Sequence, residues 1–139
     1  MLLGGCCCGA IRYAVEGPTR DETNCHCTTC RRTSGAPYLA WFTVALRDFH
    51  WLRGVPRYYD SSAQGRRGFC AECGTQLTFA DATTPDWLDV TTCSLDHPEG
   101  VPPRDHVWTR SRLPWLYLHD LPEYPRRRRD GFAPASSEP

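Results

Sequence analysis

Three cysteines fall within six residues, Cys25-His26-Cys27-Thr28-Thr29-Cys30, and offer three thiolates to a single metal ion. Zinc takes four ligands in a tetrahedron; a structural site closes all four with protein, whereas a catalytic site keeps one position open for water or substrate. The spacing leaves the fourth ligand to be found elsewhere. Two further clusters strengthen the metal reading, Gly5-Cys6-Cys7-Cys8-Gly9 and Phe69-Cys70-Ala71-Glu72-Cys73-Gly74. A C-x-x-C turn points both sulfurs at one ion. Glycine just after it admits positive φ, so the backbone can curl and aim N–H groups at the thiolates. Cys6, Cys8, Cys70 and Cys73 can thus form a closed four-thiolate zinc site between distant parts of the chain.

Composition favours zinc over disulfides. The nine cysteines are an odd number, clustered too tightly for several to reach one another without strain. No secretory leader is expected, so reduced thiols in a cytoplasmic setting are the expectation. No stretch approaches the roughly 18 apolar residues of a spanning helix, so no membrane partner is expected. The formal charge of zero assumes neutral cysteines. Seven thiolates on two Zn²⁺ would make the protein mildly acidic, which argues against a nucleic-acid partner. All sixteen basic residues are arginine, so no Schiff-base amine is available and lysine-based covalent aldehyde chemistry is excluded.

The elements that must position these thiols are short. At 139 residues the chain is one domain. Dense punctuation and brief apolar runs predict strands at 10–15, 38–46, 57–60, 65–70, 76–79, 87–92 and 106–109. One helical turn is expected over 27–33, ended by Gly35. The domain is expected to span 1–124. Residues 125–139 are expected as a disordered Arg/Pro-rich tail, with Arg126, Arg127, Arg128 and Arg129 as its solvated basic run. The expected fold is mainly β, with little helix, its sheets pinned by zinc.

The motifs together resemble the glutathione-dependent formaldehyde-activating enzyme family, which also includes centromere protein V. Gly4-x-Cys6-x-Cys8-Gly9 with a strand behind it is similar to the family's opening. Cys25-His26-Cys27-x-x-Cys30-Arg31-Arg32 followed by Gly35 is similar to its second motif, and Phe69-Cys70-x-x-Cys73-Gly74-Thr75-x-Leu77 to its third. The likeness continues through Ser94-Leu95-Asp96, His106-Val107-Trp108, Trp115 and Asp120-Leu121-Pro122. The resemblance implies a β-tent of several small antiparallel sheets carrying two zinc ions per chain. By motif, Cys6, Cys8, Cys70 and Cys73 correspond to the structural zinc, and Cys25, Cys27 and Cys30 to the catalytic zinc. It also implies a carbon–sulfur lyase activity, in which glutathione and formaldehyde combine reversibly to S-(hydroxymethyl)glutathione.

The residues suit that chemistry. Three thiolates make zinc a weak Lewis acid for water but a good host for a soft fourth ligand. A substrate thiol there would lose its proton near neutrality and attack an aldehyde carbon. Among lesser candidates, Arg31 and Arg32 could grip the carboxylates of glutathione in bidentate bonds. His26, between two ligands, is expected to point away from them in a structural role. Asp96 is expected in a turn, and His106 and Trp108 on one strand face. Cys7 is expected as a free thiol facing away from zinc. Cys93 is expected as a small buried cysteine; were it to approach Cys25, Cys27 and Cys30, it would close the site. The alternative to an enzyme is a non-catalytic zinc-stabilised binding module on the same scaffold, because fold alone does not fix function.

Overall fold

The computed structural model describes residues 1–117 and 121–130. Among the described residues, ten strands form two sheets. The smaller is antiparallel, in the order β1 (Leu2–Gly5), β2 (Arg12–Val15), β5 (Phe49–Arg53). The larger contains β3 (Arg20–Cys25), β4 (Leu39–Ala45), β6 (Arg57–Asp60), β7 (Gly65–Phe69), β8 (Gln76–Asp81), β9 (Trp87–Thr91) and β10 (Asp105–Val107). Its spatial order is β10-β3-β4-β9-β8-β7-β6, antiparallel throughout except for the parallel pair β10 and β3. One α-helix, α1 (Thr28–Ser34), follows β3. Among the described residues no helix is long and apolar enough to cross a membrane.

β4 shows how sequence becomes layer. Its run Leu-Ala-Trp-Phe-Thr-Val-Ala alternates two kinds of side chain on a period of two. Phe42 and Val44 are fully buried and join Tyr13, Val15, Phe49, Leu88 and Val90 in the main core. Trp41 and Thr43 point the other way, into a cleft on the opposite face. Each fully buried side chain of this size contributes about 1.5–3 kcal/mol. Tyr13 packs on Phe49 with ring centroids 5.2 Å apart, and its hydroxyl lies 2.6 Å from Ser94 Oγ. Burial pushes that phenol up to about 12, so it stays neutral.

The mainly β expectation holds, with the strands gathered into two sheets. Seven of the ten strands and the helical turn match the expected segments closely. Three were not expected. β1 is half glycine, β5 mixes charged with aromatic residues, and β3 reads as a polar loop, Arg-Asp-Glu-Thr-Asn-Cys. β3 is nonetheless buried because its polar groups are partnered. Glu22 accepts from the Thr19 hydroxyl at 2.6 Å and faces Arg104 Nε at 3.2 Å, and the Thr23 hydroxyl donates to the Asp105 carbonyl at 3.3 Å.

Order also continues past the expected boundary at 124. The Trp108 N–H donates to the Arg126 carbonyl at 3.0 Å. Arg128 pairs with Asp105 and Asp21 at 2.5 and 2.9 Å. Residues 125–130 are therefore anchored to the body by ion pairs that a basic run in isolation does not reveal. Residues 131–139, the rest of the expected tail, lie outside the described residues, as does Asp120.

Candidate metal centre and cleft

Cys6, Cys8, Cys70 and Cys73 bring their sulfurs within 4.8 Å of one another. The Cys6–Cys8 and Cys8–Cys70 separations are 3.6 and 3.9 Å. Tetrahedral Zn–S bonds of about 2.3 Å require sulfurs about 3.8 Å apart, so this quartet fits a zinc ion. The local backbone explains the convergence. Gly9 and Gly74 take φ of 78° and 75°, and their N–H groups donate to the Cys6 and Cys70 carbonyls at 3.0 and 2.8 Å. Such turns expose further N–H donors, and the Ile11 N–H reaches Cys6 Sγ at 3.2 Å. Cys73 is pulled down to about 5, first by the Thr75 hydroxyl at 3.2 Å.

Cys25, Cys27 and Cys30 form the second cluster, also within 4.8 Å, and no fourth Cys, His, Asp or Glu joins it among the described residues. Cys25 ends β3. Cys27 caps α1, its sulfur accepting the Cys30 N–H at 3.2 Å, and Cys30 sits one turn in. Gly35 ends the helix with its N–H on the Arg31 carbonyl at 2.8 Å. The three thiols share their protons unequally. Cys27 is driven down to about 2 by the Cys25 and Cys30 thiols pointing at it, while Cys25 is driven up for the same reason. Three thiolates this close repel one another, so their joint ionisation is favoured by a cation, which suits a metal.

A cation of the protein already stands beside it. Arg67, buried in β7, brings Nη1 and Nη2 within 3.7 and 3.6 Å of Cys30 Sγ. Its Nε donates to Ser61 Oγ at 3.1 Å, and its guanidinium lies 4.9 Å from the Phe79 ring centre. Arginine in a strand interior was not singled out from the sequence. The available signal was its placement in Gly65-Arg66-Arg67-Gly68-Phe69, where alternation turns one of two adjacent arginines inward.

All three cysteines of the trio open into a cleft of about 840 Å³, well within the size range of small-molecule sites. Its floor is one face of the larger sheet. Direct cross-strand partners Arg67, Phe79, Asp89, Thr43 and Arg20 form a row across five strands, and Trp41 lies between that row and Cys25. Asp89 accepts from the Thr43 hydroxyl at 2.5 Å and is raised to about 6 by desolvation. Along β4, the four steps from the Cys25 partner Leu39 to Thr43 span about 14 Å. The wall on the β10 side carries Val107, the register partner of Cys25, with Trp108, Arg110 and residues 127–129.

The lesser candidates fall in varied places. Arg31 and Arg32 sit on α1 outside the cleft lining, and Arg31 Nε is buried with no hydrogen-bond partner among the described residues. His26 points away from the thiols into full burial, its Nε2 3.0 Å from His106 Nδ1. Burial lowers it to about 4, so the imidazole stays neutral. His106 and Trp108 do not share a face. Trp108 takes φ of 57°, which ends β10 at Val107 and turns the indole into the cleft. Asp96 is bound by Arg12 at 2.8 and 2.5 Å. Cys7 and Cys93 are both exposed and outside the two clusters, so Cys93 is not the expected buried thiol and does not close the second site.

Known proteins resemble this chain in fold or in sequence. A crystal structure of a Rhodobacter sphaeroides protein, 22% identical, superposes over 87% of this chain and 98% of its own with a TM-score of 0.59, which shows the same fold. A Halomonas elongata protein provisionally named a glutathione-dependent formaldehyde-activating enzyme is 27% identical over 127 residues, 85% of this chain and 81% of that one. An uncharacterized lyase of Schizosaccharomyces pombe is 35% identical over 77 residues, 55% of this chain and 56% of that protein. The family profile described as "Glutathione-dependent formaldehyde-activating enzyme" matches residues 1–111, which take in all seven clustered cysteines. The chain belongs to the glutathione-dependent formaldehyde-activating enzyme family.

Proposed function

We propose that this protein is a zinc-dependent carbon–sulfur lyase-type enzyme that joins a small thiol, glutathione, to formaldehyde and releases them again, with S-(hydroxymethyl)glutathione as the adduct. Cys6, Cys8, Cys70 and Cys73 would hold one zinc as a structural tie between the N-terminal turn and the β7–β8 turn. Cys25, Cys27 and Cys30 would hold the second. A zinc ion there would supply an open position at which a thiol is acidified.

The protein's own residues do the rest. Arg67 adds positive charge beside Cys30 and favours thiolate over thiol in the trio. Trp41, Phe79 and Trp108 give the cleft apolar walls that exclude water from a reactive aldehyde. In the forward direction the thiol sulfur forms the new C–S bond, the carbonyl π pair moves to oxygen, and that oxygen takes up the proton the thiol lost. Cleavage is the reverse. Catalysis rests on holding the two reactants together and lowering the thiol pKa.

The observation that carries this reading is the open trio. Three convergent thiols without a fourth protein ligand among the described residues face a cleft large enough for a tripeptide. The relatives' names support the same substrates. The test is exchange between glutathione, formaldehyde and adduct, followed by NMR with zinc-loaded protein. Acceleration over the protein-free rate, abolished in Cys27→Ser, is expected; a rate equal to the spontaneous one would refute the proposal.

A further inference from the structure

The family match ends at residue 111, yet the chain comes back to the cleft after it. The returning segment lies alongside β10. The His106 N–H donates to the Pro122 carbonyl and the Tyr124 N–H to the His106 carbonyl, both at 2.9 Å. The Thr109 hydroxyl holds the Tyr124 carbonyl at 2.9 Å, and Trp108 holds Arg126. These bonds deliver Arg127, Arg128 and Arg129 to the cleft wall.

The three arginines have different fates. Arg128 spends its whole guanidinium on the body, with Nε and Nη2 on Asp105 at 2.5 and 2.7 Å and Nη1 on Asp21 at 2.9 Å. Arg127 and Arg129 are exposed and make no side-chain ion pair among the described residues. Arg110 is likewise unpaired. It and Arg127 lie against the Trp108 ring, 5.3 and 6.0 Å from its centre. Across the cleft, Asp81 is held below the usual carboxylate range first by the Thr83 hydroxyl and further by the charges of Arg127 and Arg129. In all, six arginines line the cleft against three aspartates, one of which, Asp89, is pushed toward its neutral form. A cleft so biased attracts an anion and gains by neutralisation.

We infer that Arg127 and Arg129, with Arg110 beside them, bind the carboxylate of the co-substrate, and that Arg128 is the positioning residue that fastens them in place. The ligand class is a carboxylate-bearing thiol and its hydroxymethyl adduct. This deepens, and rests on, the reading of the cleft as a thiol–aldehyde site. Specificity for an acidic thiol is then supplied by a segment beyond the family-matched region.

The test is calorimetric binding of S-methylglutathione, which keeps both carboxylates and cannot present a thiol. Its affinity for zinc-loaded protein should fall at least about tenfold in an Arg127→Ala/Arg129→Ala double variant, and should fall with added salt in the parent. The control Arg47→Ala, exposed and outside the cleft, should match the parent. In turnover, the double variant should raise KM for glutathione with kcat little changed, and should leave 2-mercaptoethanol, a neutral thiol without carboxylate, unaffected. Arg128→Ala should weaken S-methylglutathione binding although Arg127 and Arg129 remain, and Arg128→Lys should restore part of it. Unchanged S-methylglutathione affinity in the double variant overturns the inference, even where glutathione turnover is normal. Arginine-dependent binding in a protein that turns over no thiol would uphold it and sink the proposed reaction instead.

Discussion

Replacing Asp89 by asparagine should stabilise the protein at neutral pH and do little in acid. Asp89 lies on the cleft floor in direct register with Thr43 and Phe79. Its one side-chain hydrogen-bond partner among the described residues is the Thr43 hydroxyl at 2.5 Å, and desolvation raises it from 3.8 to about 6. A carboxyl raised on folding binds more protons in the folded than in the unfolded state across that window. Its effect therefore runs opposite to that of a salt-bridged carboxylate: folding is unpenalised below about pH 4, loses stability as pH climbs from 4 to 6, and bears the full penalty above. That rise corresponds to about 3 kcal/mol, which solvent screening at this half-buried side chain reduces to about 1–2 kcal/mol. Asparagine keeps an acceptor oxygen for Thr43 and never ionises. Urea denaturation of zinc-loaded wild type and Asp89→Asn across pH 4–8 should give curves that meet near pH 4 and separate by about 1–2 kcal/mol above pH 6, with the variant more stable. A difference that does not vary with pH, or a variant weaker at pH 7, would refute the reasoning.

Other expected outcomes follow from the same geometry. Cys8→Ser opens the four-thiolate site and should lose one zinc and several kcal/mol of stability, read by elemental analysis and thermal denaturation. Cys27→Ser should also lose one zinc but keep its far-UV spectrum and most of its Tm, because the trio ties together only the end of β3 and the adjoining helix α1. Arg67→Met keeps the packing on Phe79 and removes the charge beside Cys30; the acidic limb of the pH–rate profile should move up by about one unit. Phe42→Ala, in the middle of the core, should cost about 3–5 kcal/mol in urea unfolding without altering zinc content.

What could be read from the sequence was short-range chemistry. The cysteine turns followed by Gly9 and Gly74, the helix capped by Cys27 and stopped at Gly35, and aromatic or β-branched strands such as β4 each declare themselves within a few residues. What could not be read depends on partners far along the chain. β3 looks like a loop until Arg104 and Asp105 arrive to satisfy Glu22 and Thr23. The Arg67–Phe79–Asp89–Thr43 row exists only once strand register is set, and a run of side chains carries no record of which strand it will meet. Trp108 was expected to share a face with His106, but a left-handed backbone at a bulky residue is fixed by its surroundings. Arg126 to Arg129 look like a solvated tail because the acids that hold Arg128, Asp21 and Asp105, lie 107 and 23 residues away.

In the proposed reaction Cys25, Cys27 and Cys30 hold a metal with a position free for the substrate thiol. Zinc K-edge X-ray absorption on protein purified without chelator, before and after glutathione, tests it most directly. Two zinc ions per chain and one additional Zn–S contact at about 2.3 Å on adding glutathione, absent in Cys27→Ser, are predicted. A single zinc per chain, or a sulfur shell that glutathione leaves unchanged, would contradict the account.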